Sequence, residues 1–212
     1  MEKIIFHKET KTFHLYNEEI SYIMCVLENG HMGQLYYGKR IHDKPDFSYL
    51  VEKCGRPMTS YIFEGDRSFS LEHIRQEYPV YGTTDYRHPA IEIMQENGSN
   101  ISEFKYVGYE ILKGKPSLKG LPATYTESEE EAETLKIILK DSLTGAKLTL
   151  LYTIFSKGSA IARSAHICNE GEKVLHLQTM MSLNLDLPDK DYVWMQLSGA
   201  WSRERYVKNR IL

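Results

Sequence analysis

The densest run of chemically capable side chains lies between Glu77 and His88, where Glu77, Tyr78, Tyr81, Asp85, Tyr86, Arg87 and His88 share one irregular stretch. Two kinds of chemistry fit such a mix. Paired carboxylates cleave glycosidic bonds with retention when they stand about 5–5.5 Å apart, one as nucleophile. Glu77 with Asp85, and Glu64 with Asp66, are the pairs on offer. Spacing along a loop does not set that separation, and loop carboxylates commonly cap turns or face water. The other chemistry is recognition. A sugar presents C–H faces that pack on aromatic rings, and hydroxyls that seek Asp, Arg and Asn. Tyr78, Tyr81, Asp85, Tyr86, Arg87 and His88 supply both. The same residues also read as half-buried anchors with Arg87 paired to Asp85, and the residues alone leave both readings open.

Other chemistries find less support. Among eight histidines, His166 and His176 sit ten apart on strands expected to be neighbours, but no third ligand accompanies them, so no metal site is read. The chain lacks a Gly-x-Ser-x-Gly elbow, and Gly114-Lys115 and Gly145-Ala146-Lys147 are turns rather than phosphate loops. No cofactor is expected. Three cysteines, Cys25, Cys54 and Cys168, have no paired spacing, which points to a reducing, cytoplasmic setting. The N-terminal stretch lacks the apolar core of a secretion signal. A net charge of -3 without a basic block argues against nucleic acid, and no apolar run reaches membrane-spanning length.

The elements that must hold these residues are strands. Ile20–Leu27 is β-rich and ends at Asn29-Gly30, a strong hairpin signal, with Met32–Tyr37 returning. From Ile41 to Ala90 the pattern is poor, with a strand-like piece at Thr59–Phe63 and a helical turn capped by Ser70. Long irregular stretches in compact domains are usually functional or lie against something else. Ile91–Met94 leads to a turn at Asn97-Gly98, and Glu103–Ile111 alternates with a bulge near Gly108. Ser117–Pro122 is a loop, and Glu127–Glu133 a solvated charge run. Leu135, Ile137 and Leu139 share one strand face, Leu148–Phe155 reads as a central strand, and Ile161, Arg163, Ala165 and Ile167 alternate on the next. Val174–Leu185 is long enough for a bent strand. Trp194–Val207 is strand-like and runs nearly to Leu212 without a stop signal, which suggests a piece of a longer protein. Turn signals about every ten residues make this an all-β meander, a sandwich or barrel with at most short helical turns.

Three separated motifs resemble the N-terminal domain of glycoside hydrolase family 36, the bacterial α-galactosidases. They are Phe69-Ser70 with Gln76-Glu77-Tyr78-Pro79 and Gly82…Asp85-Tyr86-Arg87-His88-Pro89-Ala90; Leu197-x-Gly199-x-Trp201-x-Arg203-Glu204-Arg205; and the Gly33-Gln34-Leu35…Tyr37-Gly38 pattern. The resemblance spans essentially the whole chain. It implies a large antiparallel β-supersandwich of twisted, galactose-mutarotase-like sheets over residues 1–212. It also implies a missing (β/α)8 barrel that carries the catalytic Asp pair, and a C-terminal β domain, so no residue of this chain is catalytic.

The resemblance further implies a homotetramer whose N-terminal loops approach the pocket that takes α-galactosides such as melibiose or raffinose. On that basis Asp43, Asp46, Phe47 and Tyr49 are rim candidates, the Asp residues for hydroxyls and the rings for a sugar face. The Tyr81–Pro89 loop is the second segment expected there. Tyr78, Asp85, Tyr86, Arg87, Trp201, Arg203, Glu204 and Arg205 are expected to be structural, Asp85 and Arg87 as a charge-assisted fork. The alternative is a stand-alone carbohydrate-binding module.

Overall fold

A computed structural model describes residues 3–120 and 123–212. Leu121 and Pro122, the end of the expected Ser117–Pro122 loop, lie outside the described residues. Two four-stranded antiparallel meanders face one another. The first comprises β1 (Ile4–His7), β2 (Thr12–Tyr16), β3 (Ile20–Val26) and β4 (Met32–Lys39). The second comprises β6 (Phe104–Lys113), β7 (Ala132–Asp141), β8 (Ala146–Phe155) and β9 (Ile161–Asn169). Phe13, Leu15, Tyr22 and Met24 from the first sheet meet Leu135, Ile137, Leu148, Leu150 and Tyr152 from the second in one core. Phe6 stacks on Phe13 at 4.4 Å between ring centroids, and Tyr109 of β6 closes over both at 4.6 and 5.1 Å.

β3 is apolar on both faces because both are covered. Tyr22 and Met24 point into the sandwich, while Ile23 and Cys25 meet Phe47, Phe69, Leu71 and Ile74 on the outside. The irregular segment from Ile41 to Ile74 is thus a third layer over the first sheet, while Tyr78, Val80 and Ala90 join the core between the sheets. Its backbone is held by side chains rather than ladders: Glu72 accepts from Thr59 Oγ1 at 3.1 Å and Ser60 N–H at 3.3 Å. This corrects the strand expected at Thr59–Phe63, whose polar groups bond to Glu72 and whose Ile62 and Phe63 pack on the second cluster. The helical turn is present, with Ser70 Oγ accepting from Glu72 N–H at 3.3 Å.

The Asn29-Gly30 turn joins β3 to β4, with Gly30 at φ +89°. Gly30 O also accepts from Tyr106 N–H at 2.8 Å, tying the turn to the second sheet. The bulge near Gly108 shows as a register shift between Tyr106 and Gly108.

Three expectations change. The meander breaks at β5 (Ile91–Gln95), which pairs not with β6 but with β10 (Leu175–Met180) far along the chain. The long strand expected at Val174–Leu185 is shorter, with a register irregularity between Leu177 and Thr179. Because β9 and β10 lie in different sheets, His166 and His176 are not on paired strands.

Trp194–Val207 is a hairpin rather than one strand: β11 (Val193–Ala200) turns at Trp201-Ser202 into β12 (Arg203–Ile211). Gly199 sits at the bulge, at φ +157°, where an added Cβ would collide with the Arg203 carbonyl oxygen. The hairpin forms its own two-stranded sheet, and its residues are exposed on both faces except Ser198.

Candidate functional site

The residues singled out by sequence fall into three places. The first is the 42–49 loop, anchored by Asp43. One carboxylate oxygen of Asp43 meets His14 Nδ1 at 2.7 Å and His7 Nε2 at 3.0 Å. A carboxylate only accepts, so both imidazole nitrogens donate. His14 Nε2 then faces Ser21 Oγ at 2.9 Å, and Ser21 Oγ accepts from Ile41 N–H at 3.0 Å. Ser21, His14 and Asp43 repeat the order of a serine-hydrolase triad. Ser21 and His14 are fully buried, however, and no substrate reaches the hydroxyl. The arrangement is a tie between strands and loop. Burial opposes ionisation of Asp43, but the His14 and His7 hydrogen bonds together hold its carboxyl below the usual range.

Asp46 accepts from Ser48 N–H at 2.7 Å and so shapes the short 3-10 turn Ser48–Leu50. Phe47 is 0% exposed and belongs to the outer hydrophobic cluster. That corrects the expectation of Phe47 as a sugar-facing ring: the cluster has already taken its faces. Tyr49, 64% exposed, is the loop aromatic open to solvent.

The second place is the 76–90 segment, and it is largely interior. Glu77 is fully buried, accepting from Tyr22 Oη at 2.6 Å and Tyr152 Oη at 2.8 Å, and it pairs with Arg163 at 3.1 Å. Burial pushes the Glu77 carboxyl up, against Arg163 and the two phenols. Burial, reinforced by the Glu77 charge, drives both tyrosines well above their ordinary values. The Arg163 guanidinium also lies 4.6 Å from the Tyr152 ring centroid, a cation–π contact.

Asp85 lies in a parallel network. Arg87 Nε and Nη2 donate to its two oxygens at 3.0 and 3.1 Å, and Gln76 Nε2 donates at 2.6 Å. Arg87 Nη2 reaches Leu71 O at 2.8 Å, and Gln76 Oε1 meets His31 Nδ1 at 3.1 Å. Glu77 and Asp85 therefore each have their own arginine and do not form a nucleophile–acid couple. Asp66 caps its turn, accepting from Ser68 N–H at 2.8 Å and Ser68 Oγ at 2.6 Å. Between Gly82 and Asp85 a two-residue turn places Thr83 and Thr84 at φ +52° and +76°. Tyr86 projects outward, 65% exposed, with its ring edge-on to Tyr81 at 5.5 Å.

This segment also holds the stretch that follows β10. Tyr78 Oη donates to Met181 O, Met181 N–H to Ala90 O at 2.8 Å, Asn184 Nδ2 to Gln76 O at 3.0 Å, and Arg163 Nη1 to Asn184 O at 2.9 Å.

The third place is the hairpin itself. Trp201 at its tip is 92% exposed, and Trp194, Met195, Leu197, Tyr206, Val207 and Ile211 are also exposed. Arg203 and Arg205 flank Glu204, whose carboxylate accepts from Ser202 N–H at 2.8 Å.

Sequence reasoning passed over His7, His14, Ser21, Tyr22, Tyr152 and Arg163. A signal was available for two of them. Arg163 shares its strand face with Ile161, Ala165 and Ile167, and a charge on an apolar face needs a buried partner. His14 interrupts an otherwise apolar run from Phe13 to Tyr16. Among the described residues no group of three His, Cys, Asp or Glu is arranged to hold a metal. No helix among them is long and apolar enough to cross a membrane.

The geometry has close relatives. The sequence is 42% identical over 209 residues to alpha-galactosidase AgaA of Geobacillus stearothermophilus, covering 99% of this chain and 28% of that protein. It is 34% identical to alpha-galactosidase Mel36A of Lactobacillus acidophilus, with 97% and 28% covered. The chain thus spans little more than a quarter of the curated relatives it matches. The crystal structure of an alpha-galactosidase from Lactobacillus brevis superposes with a TM-score of 0.94 at 38% identity, over 98% of this chain and 28% of that one. That of AgaA A355E D548N in complex with raffinose gives 0.90 at 42% identity, over 95% and 28%. The glycosyl hydrolase family 36 N-terminal domain model matches residues 30–212. With sheets, motifs and relatives in agreement, the chain belongs to the glycosyl hydrolase family 36 N-terminal domain family.

Proposed function

We propose that this chain is the non-catalytic N-terminal part of a retaining α-galactosidase that hydrolyses terminal α-galactosides of the melibiose and raffinose class. The observation that carries the reading is the likeness along 95% of the chain, at 42% identity, to an enzyme crystallised with raffinose. Glu77 and Asp85 are each engaged by an arginine, as befits structural groups. Within it, residues 1–212 act as scaffold, and Asp43, Asp46 and Tyr49 lie at the pocket rim. Asp43 and Asp46 each have one oxygen not engaged in the bonds above, and Tyr49 offers an open ring.

The hairpin buries its aromatic ribbon against the rest of the protein or against another subunit of a homo-oligomer. An exposed apolar surface of this extent marks an interaction site. Three free cysteines fit a reducing, cytoplasmic setting. The test is hydrolysis of raffinose and of an aryl α-galactoside by the chain alone and by the protein that carries it. Activity in the longer protein and none in the chain is the expected result. Activity in the chain alone overturns the reading, and saturable millimolar galactose binding by the chain alone favours a binding module instead.

A further inference from the structure

We propose that the β11–β12 hairpin is two-sided, and that its apolar side is buried by a segment of its own polypeptide outside residues 1–212 rather than by a second copy. This rests on the reading above for the existence of the longer protein, though not for its activity. Residues paired across an antiparallel ladder project to the same side. The register pairs Val193 with Ile211, Met195 with Asn209 and Leu197 with Val207 on one face. It pairs Trp194 with Arg210, Gln196 with Lys208 and Ser198 with Tyr206 on the other, where Trp194 Nε1 donates to Gln196 Oε1 at 3.2 Å. The first face holds five apolar side chains, each 59–74% exposed, and no charge. The second carries two cations, an indole and a phenol.

Composition and size separate the occupants. Burying the first face requires no counter-ion, and only Asn209 seeks a hydrogen bond, which is the make-up of a domain core cut in half. Aromatic rings with arginine, as on the second face, suit water or a separable partner. A specific subunit contact takes about 800 Å2, roughly 20–30 residues, from each partner. Six residues on one side of a ribbon fall well short, so a second copy seated there has too little to hold. A segment joined to the ribbon through the chain does not lose the freedom that a separate subunit loses on binding. The ribbon also needs a cover, because a two-stranded hairpin alone is marginally stable in water. This chain amounts to 28% of AgaA and of Mel36A, which leaves most of such a polypeptide available for the task.

Photo-methionine incorporated into the longer protein places a photoreactive group on this face at Met195. After irradiation the Met195 peptide should be joined to a peptide from outside residues 1–212, in a product that runs as one chain on a denaturing gel. A two-chain product at Met195, a cross-link within residues 1–212, or a water adduct alone overturns the proposal. Leu197→Lys should lose the cross-link and lower the urea midpoint, whereas Lys208→Glu on the other face should keep both at wild-type values. Survival of the cross-link in Leu197→Lys, or its loss in Lys208→Glu, also overturns the proposal. Should Leu197→Lys not fold, the wild-type cross-link and Lys208→Glu decide. Raffinose hydrolysis is read on the same preparation. A single-chain cross-link without hydrolysis leaves the contact standing and removes the α-galactosidase reading; hydrolysis with a two-chain cross-link does the reverse.

Discussion

The 76–90 segment and the β11–β12 hairpin both carry family motifs rich in Arg, Glu and aromatic residues, yet they place them oppositely. In the first, Glu77 and Asp85 are interior, each with its own arginine. In the second, Arg203, Glu204, Arg205 and Trp201 all face outward. The same residue types therefore bring quite different energetics. Inside, each charge depends on a specific partner, and removing that partner strands it. Outside, water can replace any partner, so the surface is free to be shaped for contact with another surface.

The contrast can be broken by substitution, and the largest effect should come from Arg163. Arg163→Met leaves Glu77 buried without its cation and should cost about 3–5 kcal/mol in urea unfolding. Arg205→Met in the hairpin should stay within about 0.5 kcal/mol. Equal costs would mean that the interior network is not what separates the two regions.

Arg87→Ala comes next. It removes the fork on Asp85 and the bond to Leu71 O, for about 1.5–3 kcal/mol. A variant with wild-type urea midpoint and wild-type assembly of the longer protein would refute a structural Asp85–Arg87 pair.

Tyr152→Phe takes one phenol donor from Glu77 and should cost about 1–3 kcal/mol, whereas Tyr206→Phe should be silent. Smallest is Trp201→Ser, expected within about 0.5 kcal/mol for the chain's own stability. Sedimentation of the longer protein sharpens the comparison here, because a contact role for the hairpin appears as lost assembly without lost stability.

Much of the fold was legible where its cause is local. Leu135, Ile137 and Leu139 alternate because one face of β7 is core, and Asn29-Gly30 turns because glycine accepts positive φ. The β5–β10 pairing was not legible, since a ladder between Ile91 and Met180 leaves no mark in either segment alone. The 41–74 layer departs from the expected strand at Thr59–Phe63 because its backbone is held by the distant Glu72 carboxylate, which no pattern rule detects. Phe47 shows the same limit in the candidate site. Its neighbours Asp46 and Tyr49 look outward, but the outer face of β3 claims its ring. The Asp85–Arg87 fork lies two residues apart and is readable, while the tie of Asp43 to His14 spans two elements and is not.

The β5–β10 ladder also has a consequence for synthesis. When β5 leaves the ribosome its partner is about 90 residues away. At usual elongation rates of 5–20 residues per second, the wait is roughly 4–18 s. During it β5 presents an open edge bearing Ile91 and Ile93, a template for pairing with any other nascent strand. The turns of β6 through β9 can close as they emerge, so the second meander is ready before the β5–β10 pair. The Tyr78–Val80 segment bridges Ile91 from the opposite edge, so the edge that awaits β10 stays open for those seconds however stable the finished fold is.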